Sequence, residues 1–352
     1  MDKNNPLFSI LLITYNQEKY VKEAFDACIK QTYKNYEIVI CDDNSTDNTF
    51  SVLSILVKNY KDTGGEIPII LHKSKQNKGI GGNFQQAAQL SHGDWLVMAA
   101  GDDVSLPQRL ETLHQAIQNN PDAYGINTAR YFVDEHLENP KYIFQRDYLL
   151  GADSAWHRSL FSDFIPLDQR VMSEDHILNL RAMLKGKMIQ VNTPTILYRI
   201  SSHNYSMPKS SNILEAKKAE LKKMSYHRNL LLFRLADLES WTISHKEPLM
   251  PQIKQKTVAE LEDIDDRIQS YSLYIKTIQS TIFNKIKYLF TPTTVWLHNS
   301  FIYRFYNLIK MLGLLNEKSK RQVKPQEIET KQDDRIEVIT LSDFIDERRN
   351  LF

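Results

Sequence analysis

The chain has 352 residues, with 44 basic and 43 acidic side chains, 42% hydrophobic and 25% charged. At roughly 100–200 residues per domain this allows two or three domains with a sizeable core. A net charge of +1 excludes a whole-chain polycation for nucleic acid and an acidic disordered protein. Cys28 and Cys41 cannot form a disulfide framework, and neither has a neighbour at zinc spacing, which fits a reducing compartment. No signal-like segment opens the sequence, and no window reaches the roughly 18–20 uninterrupted apolar residues of a membrane span. The expected location is cytoplasmic, soluble or bound at a membrane surface.

Phe8–Thr14 is an apolar run suited to a buried strand, and Glu18–Gln31 carries apolar residues at helical spacing. Glu37–Cys41 reads as a second buried strand, followed by a helix across Asp47–Tyr60. Ile67–Leu71 and Trp95–Ala99 repeat the strand pattern, with a helix over about 81–90 between them. Such alternation with short links predicts a largely parallel α/β sheet covered on both faces. Ligands bind such sheets at the carboxyl ends of the strands, so the loops after each strand are where chemistry belongs. After Tyr124–Val133, the polar stretch Asp134–Asp147 reads as a long loop. Ser154–Ser162, Glu174–Lys185 and Ile189–Ile200 read as helix, helix and strand. From about residue 213 the remainder is helical. Val258, Leu261, Ile264, Ile268, Tyr271, Ile275, Ile278, Ile282, Ile286 and Leu289 form a seam predicting one long helix packed against Leu214–Ser244.

Two acidic pairs directly follow predicted strands, Asp42-Asp43 and Asp102-Asp103. Paired carboxylates on one sheet edge repel unless a cation or donor compensates them. Helix capping is the alternative for each pair, through Asn44, Ser45 and Asp47 or through Ser105. Gly79-Ile80-Gly81-Gly82 lacks the third glycine of a dinucleotide loop, and no phosphate-loop, lipase-elbow or zinc-protease motif occurs.

Taken together, Ser9–Asn16, Tyr36–Asp47, Asn77-Lys78-Gly79, Gly93–Asp103, Leu106-Pro107 and Arg109-Leu110 resemble the inverting glycosyltransferases of family 2. The resemblance, to the type that builds bacterial cell-surface polysaccharide, implies a GT-A fold, a Rossmann-like sheet with flanking helices. It implies that Asp43 accepts the N3 proton of a uracil-like base, while Thr14, Tyr15 and Asn16 line the base and ribose pocket. It implies that Asp103 ligates Mn²⁺ or Mg²⁺ and that Asp102 holds the ribose or a metal-bound water. Hard oxygen ligands suit such a cation, which acts as a Lewis acid on the departing diphosphate. Ser173-Glu174-Asp175 matches the acidic segment that supplies the family's catalytic base. The base falls at Asp175, with Glu174 as the fallback and Arg181 matching six positions on. A Ser173 cap over an acidic first turn is the alternative there.

Trp156 and His157 resemble the segment beneath the acceptor, where an aromatic ring can stack on a sugar; a buried tryptophan in a helix is the alternative. Arg199 and His203 are candidates for the diphosphate and metal, although Ser201 stands where the family often has its histidine.

Charge is unevenly spread. Residues 1–212 hold 21 basic and 24 acidic side chains, 213–330 hold 19 and 13, and 331–352 hold 4 and 6. The expected division is a catalytic domain at 1–212, a helical hairpin with a basic amphipathic region at 213–330, and a tail at 331–352. Residues 281–324 carry eight basic side chains against Glu317, interleaved with aromatics, a composition suited to docking on a membrane surface. Nucleic-acid binding is not expected, since the aromatics follow helical spacing and no RNA motif occurs. The hairpin at 213–290 offers a route to a homo-oligomer. The expected function is metal-dependent inverting transfer from a nucleotide-diphosphate sugar, with UDP-sugar favoured, to a glycan or lipid-linked acceptor. The rival is a non-catalytic nucleotide-sugar-binding scaffold in a glycan-assembly complex.

Overall fold

A computed structural model describes residues 5–144, 151–200, 213–245, 250–278 and 337–339. These fall into two compact units, one within 1–204, 236–250 and 331–352, the other within 205–235 and 251–330.

The first unit is built on a sheet that has ten strands among the described residues. Strands β1 (Phe8–Thr14), β2 (Tyr36–Asp42), β3 (Ile69–Lys73) and β4 (Trp95–Ala100) form its parallel half in the order β3-β2-β1-β4. Every residue of β1 and β2 is buried, which is why both read as continuous apolar runs rather than alternating ones. Helices α1 (Val21–Cys28), α2 (Thr49–Asp62), α3 (Gly79–Leu90) and α4 (Arg109–Asn119) cover the two faces. Phe8, Ile10, Leu12, Ile38 and Ile40 share one core with Val21, Phe25, Leu53, Leu110 and Leu113, while α3 packs on β1 and β2. The register sets Thr14 opposite Asp42 and Ile13 opposite Ala100, so β1, β2 and β4 end level with one another. The residues after these ends are the ones that meet.

Beyond β4 the sheet turns mixed. Strand β5 (Val104–Ser105) pairs antiparallel with β9 (Lys187–Arg199), and β6 (Ala123–Val133) runs parallel to β9. Two expectations fail here. The predicted loop over 134–147 contains β7 (Lys141–Ile143), which folds back antiparallel on β6. The predicted helix over 154–162 is instead strand β8 (Ser154–His157) followed by the short helix α5 (Ser159–Ser162). β8 fills the antiparallel slot between β4 and β6, and at four residues, three of them buried, it is too short to show a period. Helix α6 (Glu174–Lys185) packs against β6, β8 and β9, and β10 (Glu337–Ile339) adds to the edge of β9.

Helices α7 (Ile213–His245) and α8 (Met250–Ile278) follow. In the second unit they pack through Met224, Leu231, Leu261, Ile264 and Ile268, three of them from the seam, with an Arg228–Asp265 ion pair alongside. The seam past Ile278 and the basic segment 281–324 lie outside the described residues. Among the described residues no helix is long and apolar enough to cross a membrane.

Candidate active site

The ends of β1 and β2 are knitted together by side chain-to-backbone bonds. Asp42 is buried, and its carboxylate accepts from the Ser45 amide at 2.9 Å, the Ser45 hydroxyl at 2.5 Å and the Thr14 hydroxyl at 3.3 Å. The Thr14 side chain is buried and donates to Asp42, while its carbonyl accepts the Asp43 amide at 2.9 Å. Asn16 takes a left-handed φ of 53°, a conformation asparagine tolerates better than most residues. Its Oδ1 accepts the Thr46 amide at 2.8 Å and its amide donates to Ser45 Oγ at 2.9 Å, so one loop splints the other. Tyr15, between them, is 47% exposed.

Asp43, also buried, is bonded differently. The Lys78 amide donates to its Oδ1 at 2.7 Å and the Gly79 amide also bonds the carboxylate, at the start of α3. Burial nonetheless pushes its proton affinity up, with Asp42 adding to the effect and the two amides opposing it. The Asn77-Lys78-Gly79 segment was part of the sequence resemblance without a role; its backbone orients Asp43.

The second pair follows β4. Asp103 is buried, and its Oδ1 accepts the Arg199 amide at 2.9 Å. Burial and then the charge of Asp102 raise its proton affinity well above the usual carboxylate range. Asp102, half-buried, is raised by burial against the opposing pull of Arg199. Two adjacent hard-oxygen donors whose charge burial disfavours make a donor set that fits Mn²⁺ or Mg²⁺. Among the described residues no third acidic, histidine or cysteine side chain completes a cluster with them, and His203 lies outside those residues.

The Arg199 guanidinium is committed to protein partners in this arrangement. It is 2% exposed, its Nε donates to the Asp102 carbonyl at 2.8 Å, and its other nitrogens reach the Glu135 carbonyl and the Glu23 carboxylate. Its guanidinium also lies 4.5 Å from the Tyr20 ring centroid. With amide and side chain both bonded to the acidic turn, Arg199 holds Asp102-Asp103 in place.

Glu174 and Asp175 open α6, and Ser173 makes no side-chain cap there. Both acids are buried, and Asp175 Oδ1 accepts the His176 amide at 2.8 Å. Burial, then the charge of Asp175, pushes Glu174 up to about 8. At neutral pH Glu174 thus keeps its proton. An acid held protonated by the fold stabilises it fully below its ordinary value of 4.5. That contribution declines as pH rises and is gone above about 8. Glu174→Gln imitates the protonated form at every pH. Urea midpoints measured from about pH 5 to about pH 9 should therefore fall less steeply in this variant than in the wild type.

Trp156 and His157 are not brought to this edge. Trp156 is fully buried between β4 and β6, its ring against Gly125, so it cannot stack on a sugar. His157 pairs in register with Trp95, at the start of β4, on the order of 20 Å along the strand from Asp102. Burial lowers its proton affinity, between the Trp95 and Tyr124 rings.

Residues 9–176 match the family described as glycosyl transferase family 2. An uncharacterized glycosyltransferase of Methanocaldococcus jannaschii is 32% identical over 137 residues, covering 39% of this chain and 45% of its own length. A glucosyl-dolichyl phosphate glucuronosyltransferase of Haloferax volcanii is 31% identical over 149 residues, 41% of this chain and 45% of that one. The chain thus spans less than half the length of these curated relatives. The solved structure of TarS from S. aureus superposes over 86% of this chain and 53% of that chain, with a TM-score of 0.51 and 16% identity. The common fold is of GT-A type, as the sequence resemblance implied. The family match thus spans residues 9–176, just under half of the chain.

Proposed function

We propose that this chain transfers a sugar from a nucleotide-diphosphate sugar, a UDP-sugar in the first instance, to a hydroxyl of a glycan or lipid-linked acceptor, with inversion. The observation that carries this reading is the register that brings Asp43 and Asp102-Asp103 to one edge of the sheet in a family 2 segment. Asp43, steadied by the Lys78 and Gly79 amides, accepts the imino proton of the base. Asp103 and Asp102 hold a divalent cation, which when bound supplies Lewis-acid stabilisation of the leaving diphosphate. Asp175 takes the proton of the acceptor hydroxyl as its oxygen bonds to the anomeric carbon and the sugar–phosphate bond breaks on the opposite face. The name of the H. volcanii relative, an enzyme of a dolichyl-phosphate-linked sugar, supports a lipid-linked acceptor.

Purified chain with Mn²⁺ and a panel of nucleotide sugars, scored for donor hydrolysis and transfer, tests this. Asp175→Asn keeps the size of the side chain and removes the proton acceptor. Transfer should fall by about 10²–10⁴-fold while donor binding persists. Undiminished transfer would place the base elsewhere.

A further inference from the structure

Behind the acidic turn lies a buried charged cluster that the reaction as described does not use. Arg109, at the start of α4, is 2% exposed; its Nη1 donates to Ser105 Oγ at 2.9 Å and its Nη2 to the Ala152 carbonyl at 2.8 Å. Ser105 belongs to β5, two residues past Asp103. Ala152 belongs to the turn Gly151–Asp153 that precedes β8. The far side of that turn is equally fixed. Asp153 is fully buried, pairs with Arg130 Nε at 2.8 Å and accepts from Asn127, and its carbonyl accepts the Thr128 hydroxyl at 3.1 Å.

The near side of the turn meets the base. A side chain on Gly151 would take the space of Glu174 Oε1 and come within 3.8 Å of Asp175 Cβ. Gly151 therefore lies in contact with the acidic pair that opens α6. Arg109 binds one end of this path and Glu174-Asp175 stand at the other.

We propose that Arg109 is a positioning residue: its fork ties the strand end carrying Asp102-Asp103 to the 151–153 turn, and that turn, through Gly151, sets where Glu174 and Asp175 stand. The inference rests on the functional reading above. Its physical content is geometric. Two hydrogen bonds from one planar group fix a distance and an angle between two backbone segments, which a lysine ammonium on a flexible stem does not. Misplacing a reacting group by ~1 Å can cost about 10²-fold in rate.

The test uses the full chain and three readouts: donor affinity by titration with UDP and Mn²⁺, donor KM, and kcat for hydrolysis or transfer. Arg109→Lys keeps the buried charge and loses the fork. The expected result is a fall in kcat of about 10–100-fold with donor affinity and KM unchanged. Arg109→Lys with wild-type kcat would overturn the proposal, since charge balance alone would then suffice. Should Arg109→Lys not fold, Gly151→Ala decides, because it leaves Arg109, Arg130 and Asp153 untouched and moves only the contact with Glu174. The same selective loss of kcat supports the proposal; unchanged kcat, or an equal loss of donor affinity, overturns it. Absence of any turnover or donor binding in the wild type overturns the functional reading and the inference together, which separates that failure from a defect confined to the variants.

Discussion

Asp103→Asn should lower turnover by about 10²–10³-fold, because Lewis-acid stabilisation is worth several kcal/mol and each ~1.4 kcal/mol is tenfold. Asparagine is the informative replacement. It keeps an acceptor for the Arg199 amide, now bonded to Asp103 Oδ1 at 2.9 Å, so the end of β9 stays tied to the acidic turn. What it removes is a negative charge that burial and Asp102 already make costly. Two consequences follow from that balance. The variant should be at least as stable as the wild type without metal, and Mn²⁺ should raise the melting temperature of the wild type more than that of the variant. Full activity in Asp103→Asn, or equal metal stabilisation of both proteins, would remove Asp103 from the cation site.

Asp237→Asn should cost about 3–5 kcal/mol of stability, the penalty of leaving a buried guanidinium without its counter-charge. Arg181 and Asp237 are both fully buried, with Nε–Oδ2 at 2.7 Å and Nη2–Oδ1 at 3.1 Å. Arg181 also donates to the carbonyls of Leu160 at 2.9 Å and Ile165 at 2.7 Å, and its guanidinium lies 5.0 Å from the Phe164 ring centroid, which Trp241 stacks upon from α7. One arginine thus gathers α6, the segment after α5 and the last turns of α7. Burial raises the proton affinity of Asp237 and Arg181 opposes it, so desolvation takes back part of what the pair contributes. Replacing both residues by apolar ones of similar volume should therefore cost less than Asp237→Asn alone. A double-mutant cycle by urea denaturation separates the two cases. A single-mutant loss below about 1 kcal/mol would mean that the pair behaves like an exposed one.

The parallel half of the fold was legible because its strands are buried on both faces and its helices are local. Phe8–Thr14 and Glu174–Lys185 have the bounds that hydrophobic pattern and acidic first turn imply. The mixed half was not, because β7 and β8 owe their state to partners far along the chain. Trp156 illustrates the cost: an aromatic beside a histidine and an arginine looks like a sugar platform until the register with Leu96 and Gly125 places it inside the sheet.

For the site, residue type located the acids but not their division of labour. Asp42 and Asp43 are alike in sequence, yet Ser45 and Thr14 consume the first and leave the second to the amides of Lys78 and Gly79. The charge of Arg199 is visible in sequence, while its burial and its bonds to Asp102, Asp103 and Glu23 are not. Arg109 was part of the matched segment, and its reach to Ala152 is visible only in the structure.

The central claim is that the edge formed by β1, β2 and β4 is a metal-dependent nucleoside-diphosphate site. Calorimetric titration of the wild-type chain with UDP, GDP and TDP, with Mn²⁺ and again with excess chelator, tests it most directly. The expected result is saturable binding of UDP with Mn²⁺ that chelation weakens and that Asp43→Ala abolishes. Binding of none of the three nucleotides in the presence of Mn²⁺, or UDP binding indifferent to Asp43→Ala, would contradict it.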